Sequence, residues 1–157
     1  MQISLLCMGQ TDESQIQQLI EKYAIRLPAH YNFNITELPD IKNRKNLNTQ
    51  QQKIAEEKAF LEKINPSDYL ILLDEKGKNY SSVEFAAFLN QKFIAAEKHL
   101  LFVIGGPFGF SDQMHQRANA KISLSRMTFT HQMVRLFFIE QLYRAFTILQ
   151  GKSYHHE

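Results

Sequence analysis

Leu100-Leu101-Phe102-Val103-Ile104-Gly105-Gly106-Pro107-Phe108-Gly109 decides how this chain is built. Its apolar run reads as a strand covered on both faces, because a half-exposed strand would alternate with polar residues. The glycines come directly after it, so a loop rich in accessible backbone sits at the carboxyl end of a sheet. Open α/β folds bind ligands there, and glycine lets backbone N–H groups approach a ligand closely. A tight strand-to-helix turn would use the same residues. The spacing is not G-x-G-x-x-G and the strand is a late one, so a dinucleotide site is not indicated.

Working outward, Tyr69-Leu70-Ile71-Leu72-Leu73-Asp74 is a second continuous apolar run and reads as another doubly covered strand. Lys76-Gly77-Lys78 is expected to turn the chain, and Ser81 with Glu84 to cap a helix carrying Phe85, Phe88 and Leu89. Toward the N-terminus, Ile3 to Met8 reads as a buried strand closed by Gly9, and Phe33 to Leu38 as a second one. Between them Asp12 and Gln15 resemble a capping pair for a helix with Ile16, Leu19, Ile20, Tyr23 and Leu27 on one face. Asp40 to Asn48 reads as a polar loop, and Thr49 with Gln52 as a capping box for a helix through Ile64. Beyond the glycines, a short helix from Asp112 to about Asn119 leads to a strand near Ile122–Leu124. A final helix from about His131 to Gln150 follows, stopped by Gly151. Strands alternating with helices predict one α/β domain over residues 1–157 with a mainly parallel sheet.

Composition narrows the classes of function. The chain has 157 residues, 44% hydrophobic and 22% charged, enough to bury a core and unlike a disordered segment. No apolar run approaches the roughly 18 residues that span a bilayer. The N-terminus shows no basic region followed by a small-residue cleavage site, so no signal peptide is expected. Cys7 is the only cysteine, which rules out an intramolecular disulfide and suits a cytoplasmic protein. From Met114 to Glu157 there are six basic and two acidic side chains, leaving residues 1–113 with a net charge of −2. His115, His131, His155 and His156 also fall in that segment. A basic, histidine-bearing segment on a mildly acidic domain suits an anionic partner, although a surplus this small also suits an ordinary solvated face.

Leu124-Ser125-Arg126-Met127-Thr128-Phe129-Thr130-His131 mixes apolar, hydroxyl and cationic side chains where a plain loop would be uniformly polar. Apolar surface beside open backbone groups suits a flat purine held by its edge; a buried connection with Thr128 or Thr130 capping the helix is the plainer reading. His131 and Arg135 are i, i+4 neighbours at the start of the last helix, and Glu140 stands four residues before Arg144 as an ion-pair partner. The tail Lys152-Ser153-Tyr154-His155-His156-Glu157 is polar with one aromatic. His155-His156 has no further ligand set around it, so no metal is expected.

Three of these stretches together carry a family resemblance. Leu101 to Gly109, Ser123 to Arg135, and Glu140 to Ala145 with Tyr154-His155 resemble the RlmH family, the large-subunit pseudouridine N3-methyltransferases of the SPOUT superfamily. The likeness runs through the whole chain, including Gly9, Glu37-Leu38-Pro39 and Leu72-Leu73-Asp74 before Gly77-Lys78. It implies an α/β-knot fold in which the segment from about residue 100 threads a deep trefoil knot. It also implies a homodimer whose two subunits both contact 23S ribosomal RNA within the ribosome, with S-adenosylmethionine as methyl donor and no metal. Leu73, Gly105 and Leu124, Ser125, Arg126, Met127, Thr128 and Phe129 match the positions that hold the donor. His131, Arg135 and His155 match positions that could take the N3 proton or stabilise the anion that develops as it leaves, and Tyr143, Arg144 and Tyr154 match substrate positions. The expected product is N3-methylpseudouridine in helix 69. One departure is Thr130, which stands where the family commonly has Pro; Thr can cap the helix that Pro would pre-set. A SPOUT enzyme acting on another RNA such as tRNA, or a non-catalytic ribosome-associated protein of this fold, are the competing readings.

Overall fold

The computed structural model describes residues 1–156; the charge of Glu157, counted above with the tail, lies outside them. Five strands, β1 (Gln2–Met8), β2 (Asn34–Leu38), β3 (Tyr69–Asn79), β4 (His99–Ile104) and β5 (Ala120–Ser123), form one sheet in the order β2-β1-β4-β3-β5. Every pairing is parallel. The helices between them are α1 (Ser14–Ala24), α2 (Thr49–Leu61), α3 (Ser82–Ile94), α4 (Asp112–Arg117) and α5 (His131–Leu149).

Period-two alternation along the strands builds two cores. Ile3, Leu5 and Cys7, with Ile71, Leu100, Phe102 and Ile104, point to one face, where α1, α3 and α5 cover them. α5 packs against both of the others there. Leu6, Met8, Leu70, Leu72, Leu101 and Val103 point the other way, onto Phe60 of α2 and Met114 of α4. A parallel sheet covered on both sides explains why β3 and β4 read as unbroken apolar runs.

Some local expectations shift. The capping box of α2 is Asn48 with Gln51, one residue earlier than Thr49 and Gln52. α1 starts after Glu13 with no side-chain cap, so Asp12 and Gln15 do not play that part. Ser81 and Glu84 do form the box of α3. Lys76-Gly77-Lys78 does not end its strand: β3 continues to Asn79, and the pairing with β5 skips from Leu73 to Lys78, both opposite Ile122. Gly77 is needed inside this irregular stretch, because a Cβ there would lie 2.6 Å from the backbone nitrogen of Ile122. Such a bulge re-aims a strand next to a site; Leu73 stands immediately before it and Asp74 is its first residue.

Candidate active site

The carboxyl ends of β3, β4 and β5 open onto a cavity of about 350 Å³. The size is within the usual range for small-molecule sites. Its lining joins the separate stretches of the sequence: Leu73 from β3, Gly105 after β4, Leu124, Ser125, Met127, Thr128 and Phe129 between β5 and α5, and His131 at the start of α5. Arg126 belongs to the same loop but is not among the lining residues.

The loop between β5 and α5 is held by its own polar groups. Ser123 Oγ donates to the carbonyl of Ser125 at 2.8 Å, and Ser125 Oγ accepts from Met127 N at 2.9 Å. Asn79 Nδ2 fastens the strand end by donating to the Ser123 carbonyl at 3.0 Å. Thr130 caps α5, its hydroxyl accepting from Met133 N at 3.3 Å, so the helix start is specified without a proline. The glycine loop is equally constrained. A Cβ on Gly105 would press on the Phe110 ring at 3.1 Å, and Gly109 closes the turn onto the Gly106 carbonyl with φ of +74°. Apolar side chains (Ile104, Leu124, Phe129, Val134) line part of the cavity, and Lys53, Asp74, Glu75, Lys76 and His115 line the rest. His115 Nε2 lies 3.6 Å from Asp74 Oδ2, while its Nδ1 is buried without a hydrogen-bond partner. A flat heteroaromatic group with a charged tail fits such a lining. Asp74 could have been anticipated as the acid ending an apolar strand at its carboxyl end; Lys53 and His115 carry no local signal.

Arg135, which the resemblance puts among the groups that meet the reacting base, instead has a wholly buried side chain that does not line the cavity. Its guanidinium donates to the carbonyls of Met8 and Gly9 at 2.8 and 2.9 Å, to Thr11 Oγ1 at 2.7 Å and to Glu37 Oε1 at 3.2 Å. The i, i+4 relation to His131 puts the two residues on adjacent turns, but Arg135 faces the sheet. It ties α5 to the ends of β1 and β2, and so fixes the helix that carries His131.

The remaining expected residues gather elsewhere. Tyr154 folds back on α5, its ring 4.8 Å from that of Tyr143 and 4.7 Å from the Arg144 guanidinium carbon. Arg144 pairs with Glu140 as expected, and Tyr154 donates to the same Glu140 carboxylate at 3.0 Å. Burial, with hydrogen bonds to Tyr23 and Glu140, pushes the Tyr154 phenol well above its usual range. His155 adjoins this cluster, partly buried. Tyr23 and Arg26 join it from the α1 side: the Arg26 guanidinium carbon lies 5.8 Å from both the Tyr23 and Tyr143 ring centres. Within one chain, none of Tyr143, Arg144, Tyr154 or His155 lines the cavity. Among the described residues no group of three or more His, Cys, Asp or Glu could hold a metal ion, and no helix is long and apolar enough to cross a membrane.

Comparison with known proteins places this arrangement. Residues 1–155 match the model of a family described as predicted SPOUT methyltransferase. A protein of Flavobacterium psychrophilum named ribosomal RNA large subunit methyltransferase H is 54% identical over 100% of both chains. Proteins of the same name from Flavobacterium johnsoniae and Parabacteroides distasonis are 52% and 49% identical, again over 100% of each chain. A solved structure of a probable methylase family protein from Haemophilus influenzae superposes with a TM-score of 0.53 at 11% identity, covering 99% of this chain and 70% of that one; this likeness is one of fold. By these matches the chain belongs to the SPOUT methyltransferase family, among the ribosomal RNA large subunit methyltransferase H proteins.

Proposed function

We propose that this protein methylates large-subunit ribosomal RNA from S-adenosylmethionine, at N3 of a pseudouridine in helix 69 of the 23S molecule. The observation that carries the reading is the convergence of Leu73, Gly105 and the Leu124–Phe129 loop on one cavity, in a chain similar over its full length to proteins named ribosomal RNA large subunit methyltransferase H. Bound S-adenosylmethionine supplies a methyl group on a positively charged sulfur, open to attack by a nitrogen lone pair. Leu124, Phe129 and Ile104 would hold its purine, backbone groups of the 124–129 loop would meet the purine edge, and Asp74 with Lys53 and Lys76 would face its charged end. Arg126 belongs to this set through the loop it helps form.

The N3 proton must leave as the methyl arrives. His131, first residue of α5 and part of the cavity lining, is positioned to take it as a general base. Holding donor and acceptor in line provides much of the acceleration. His155 with Tyr143, Arg144 and Tyr154 forms the RNA-facing group: the arginine meets phosphate or base and Tyr154 stacks. That group stands apart from the cavity of its own chain, which supports a homodimer in which one subunit's tail serves its partner's cavity. Exposed Met127 and Phe108 at the cavity also suit a covered surface. In the same reading the chain is one domain over residues 1–157, with the segment from about residue 100 threaded as a trefoil knot. It works in the cytoplasm, on the ribosome.

Calorimetric titration with S-adenosylmethionine tests the cofactor, and mass mapping of ribosomal RNA from a strain lacking the protein tests the substrate. Loss of the helix-69 methyl group is expected. A methyl group that persists there, or one lost from transfer RNA instead, overturns the assignment.

A further inference from the structure

Glu56 is a carboxylic acid only 4% exposed, on α2, and has no part in the mechanism above. Its Oε2 accepts from the backbone N–H of Gly106 at 3.2 Å, and its Oε1 accepts from Gln52 Nε2 at 2.9 Å. Gly106 belongs to the glycine loop that walls the cavity. The fit is close: a Cβ on Gly106 would lie 2.2 Å from Glu56 Oε1. A small second cavity of about 20 Å³ lies on this side of the loop, lined by Glu56, Gln52, Gly106, Pro107 and His131 among others. Its volume is about that of one water-sized probe. Glu56 and His131 therefore border the same confined space from opposite elements. Burial raises the Glu56 carboxyl above the usual carboxylate range, and the bonds from Gln52 and Gly106 oppose that rise.

A buried carboxyl is costly to keep without a task. Here it meets the N–H of a loop whose neighbours hold the methyl donor, and the loop residue it meets has no side chain of its own to fix it. We propose that Glu56 is a positioning residue for the methyl donor, pinning the Gly105-Gly106-Pro107 loop from α2 so that the cavity is preformed. The inference rests on the methyltransferase reading only for the identity of the ligand.

The test compares Glu56→Gln, Glu56→Ala and Glu56→Leu in the full chain. Gln keeps a carbonyl oxygen for Gly106 N–H, and Gln52 can flip its amide to accept from the new NH2 group. Ala and Leu leave a buried donor unpaired, Leu doing so without an empty space. The expected result is S-adenosylmethionine affinity within about threefold of the parent for Glu56→Gln and weaker by about tenfold for the other two, the ordinary consequence of an orphaned buried donor. In steady state the loss is expected in KM for the donor rather than in kcat. Amide exchange at Gly106, followed by NMR without any ligand, is expected to quicken in Glu56→Ala and Glu56→Leu and to stay slow in Glu56→Gln. Leu or Ala variants that melt earlier but bind the donor with parental affinity would make Glu56 merely structural and overturn the proposal, as would unchanged Gly106 exchange. A parent protein that binds no S-adenosylmethionine would refute the methyltransferase reading, whereas the exchange data would still decide whether Glu56 pins the loop.

Discussion

Replacing Arg135 with Met should damage stability before it damages chemistry. The guanidinium is fully buried and donates to two backbone carbonyls, to Thr11 Oγ1 and to Glu37. Thr11 in turn gives both its N–H and its hydroxyl to Glu37, so the four groups form one network across β1, β2 and α5. Met fills much of the same volume but satisfies none of the acceptors. Leaving the buried carbonyls of Met8 and Gly9 without their charged donor costs about 1–3 kcal/mol each, whereas the exposed Glu37 carboxylate can turn to water. A domain of this size has roughly 5–15 kcal/mol in all. With a urea slope of about 2 kcal/mol per molar, the unfolding midpoint should fall by roughly 2 M at fixed protein concentration. Arg135→Lys should recover only part of this, because one ammonium cannot reach acceptors that a planar fork spans. Urea titration followed by circular dichroism reads the shift directly. A midpoint for Arg135→Met within about 0.5 M of the parent would refute the clamp. Intact stability with lost methyl transfer would return Arg135 to the reacting groups.

Gly105→Arg should give a folded protein without measurable S-adenosylmethionine binding, since its side chain must enter the cavity or displace Phe110; undiminished affinity by calorimetry would remove Gly105 from the site. Gly77→Ala should lower stability by about 1–3 kcal/mol, as overpacking does, because the added methyl meets the backbone of Ile122 at 2.6 Å; a thermal midpoint equal to the parent's would show that the bulge yields. The Cys7 thiol is pushed up to about 12, burial outweighing the nearby Arg135 charge. The unfolded thiol ionises near 8.5, so the folded state holds the extra proton between those values and stability falls as pH rises through them. Cys7→Ala should lessen that alkaline decline, and equal slopes for the two proteins above pH 9 would contradict it.

Much of the fold was legible because burial on both faces leaves a mark that periodicity can detect. β3 and β4 announce themselves as apolar runs, and Gly105 and Gly106 mark the end of one. Helix caps are only partly legible: Ser81 and Glu84 form the box of α3, Asn48 rather than Thr49 caps α2 because both types cap and the register differs by one, and α1 has no side-chain cap where Asp12 and Gln15 suggest one. Gly77 misled, since a glycine between lysines signals a turn, and only the approach of β5 shows that it serves a bulge. The cavity lining was readable where it is contiguous, from Leu124 to Phe129. Lys53 and His115 were not, because their placement depends on how α2 and α4 pack on the sheet. Arg135 shows the limit most clearly. Its residue type and its spacing from His131 fit a substrate contact equally well, and only the course of α5 across β1 turns it inward. Tyr23, in the last turn of α1, and Arg26, just beyond that helix, reach the Tyr143–Tyr154 group from more than a hundred residues away in sequence.

The measurement that bears most directly on the central claim is methyl transfer from labelled S-adenosylmethionine to ribosomes from a strain lacking this protein, with the label mapped by mass spectrometry of 23S fragments. One methyl group per ribosome is expected, on N3 of a helix-69 pseudouridine, absent with the Gly105→Arg protein. Label found only in transfer RNA, or no transfer by a protein that binds the ribosome, would contradict the account.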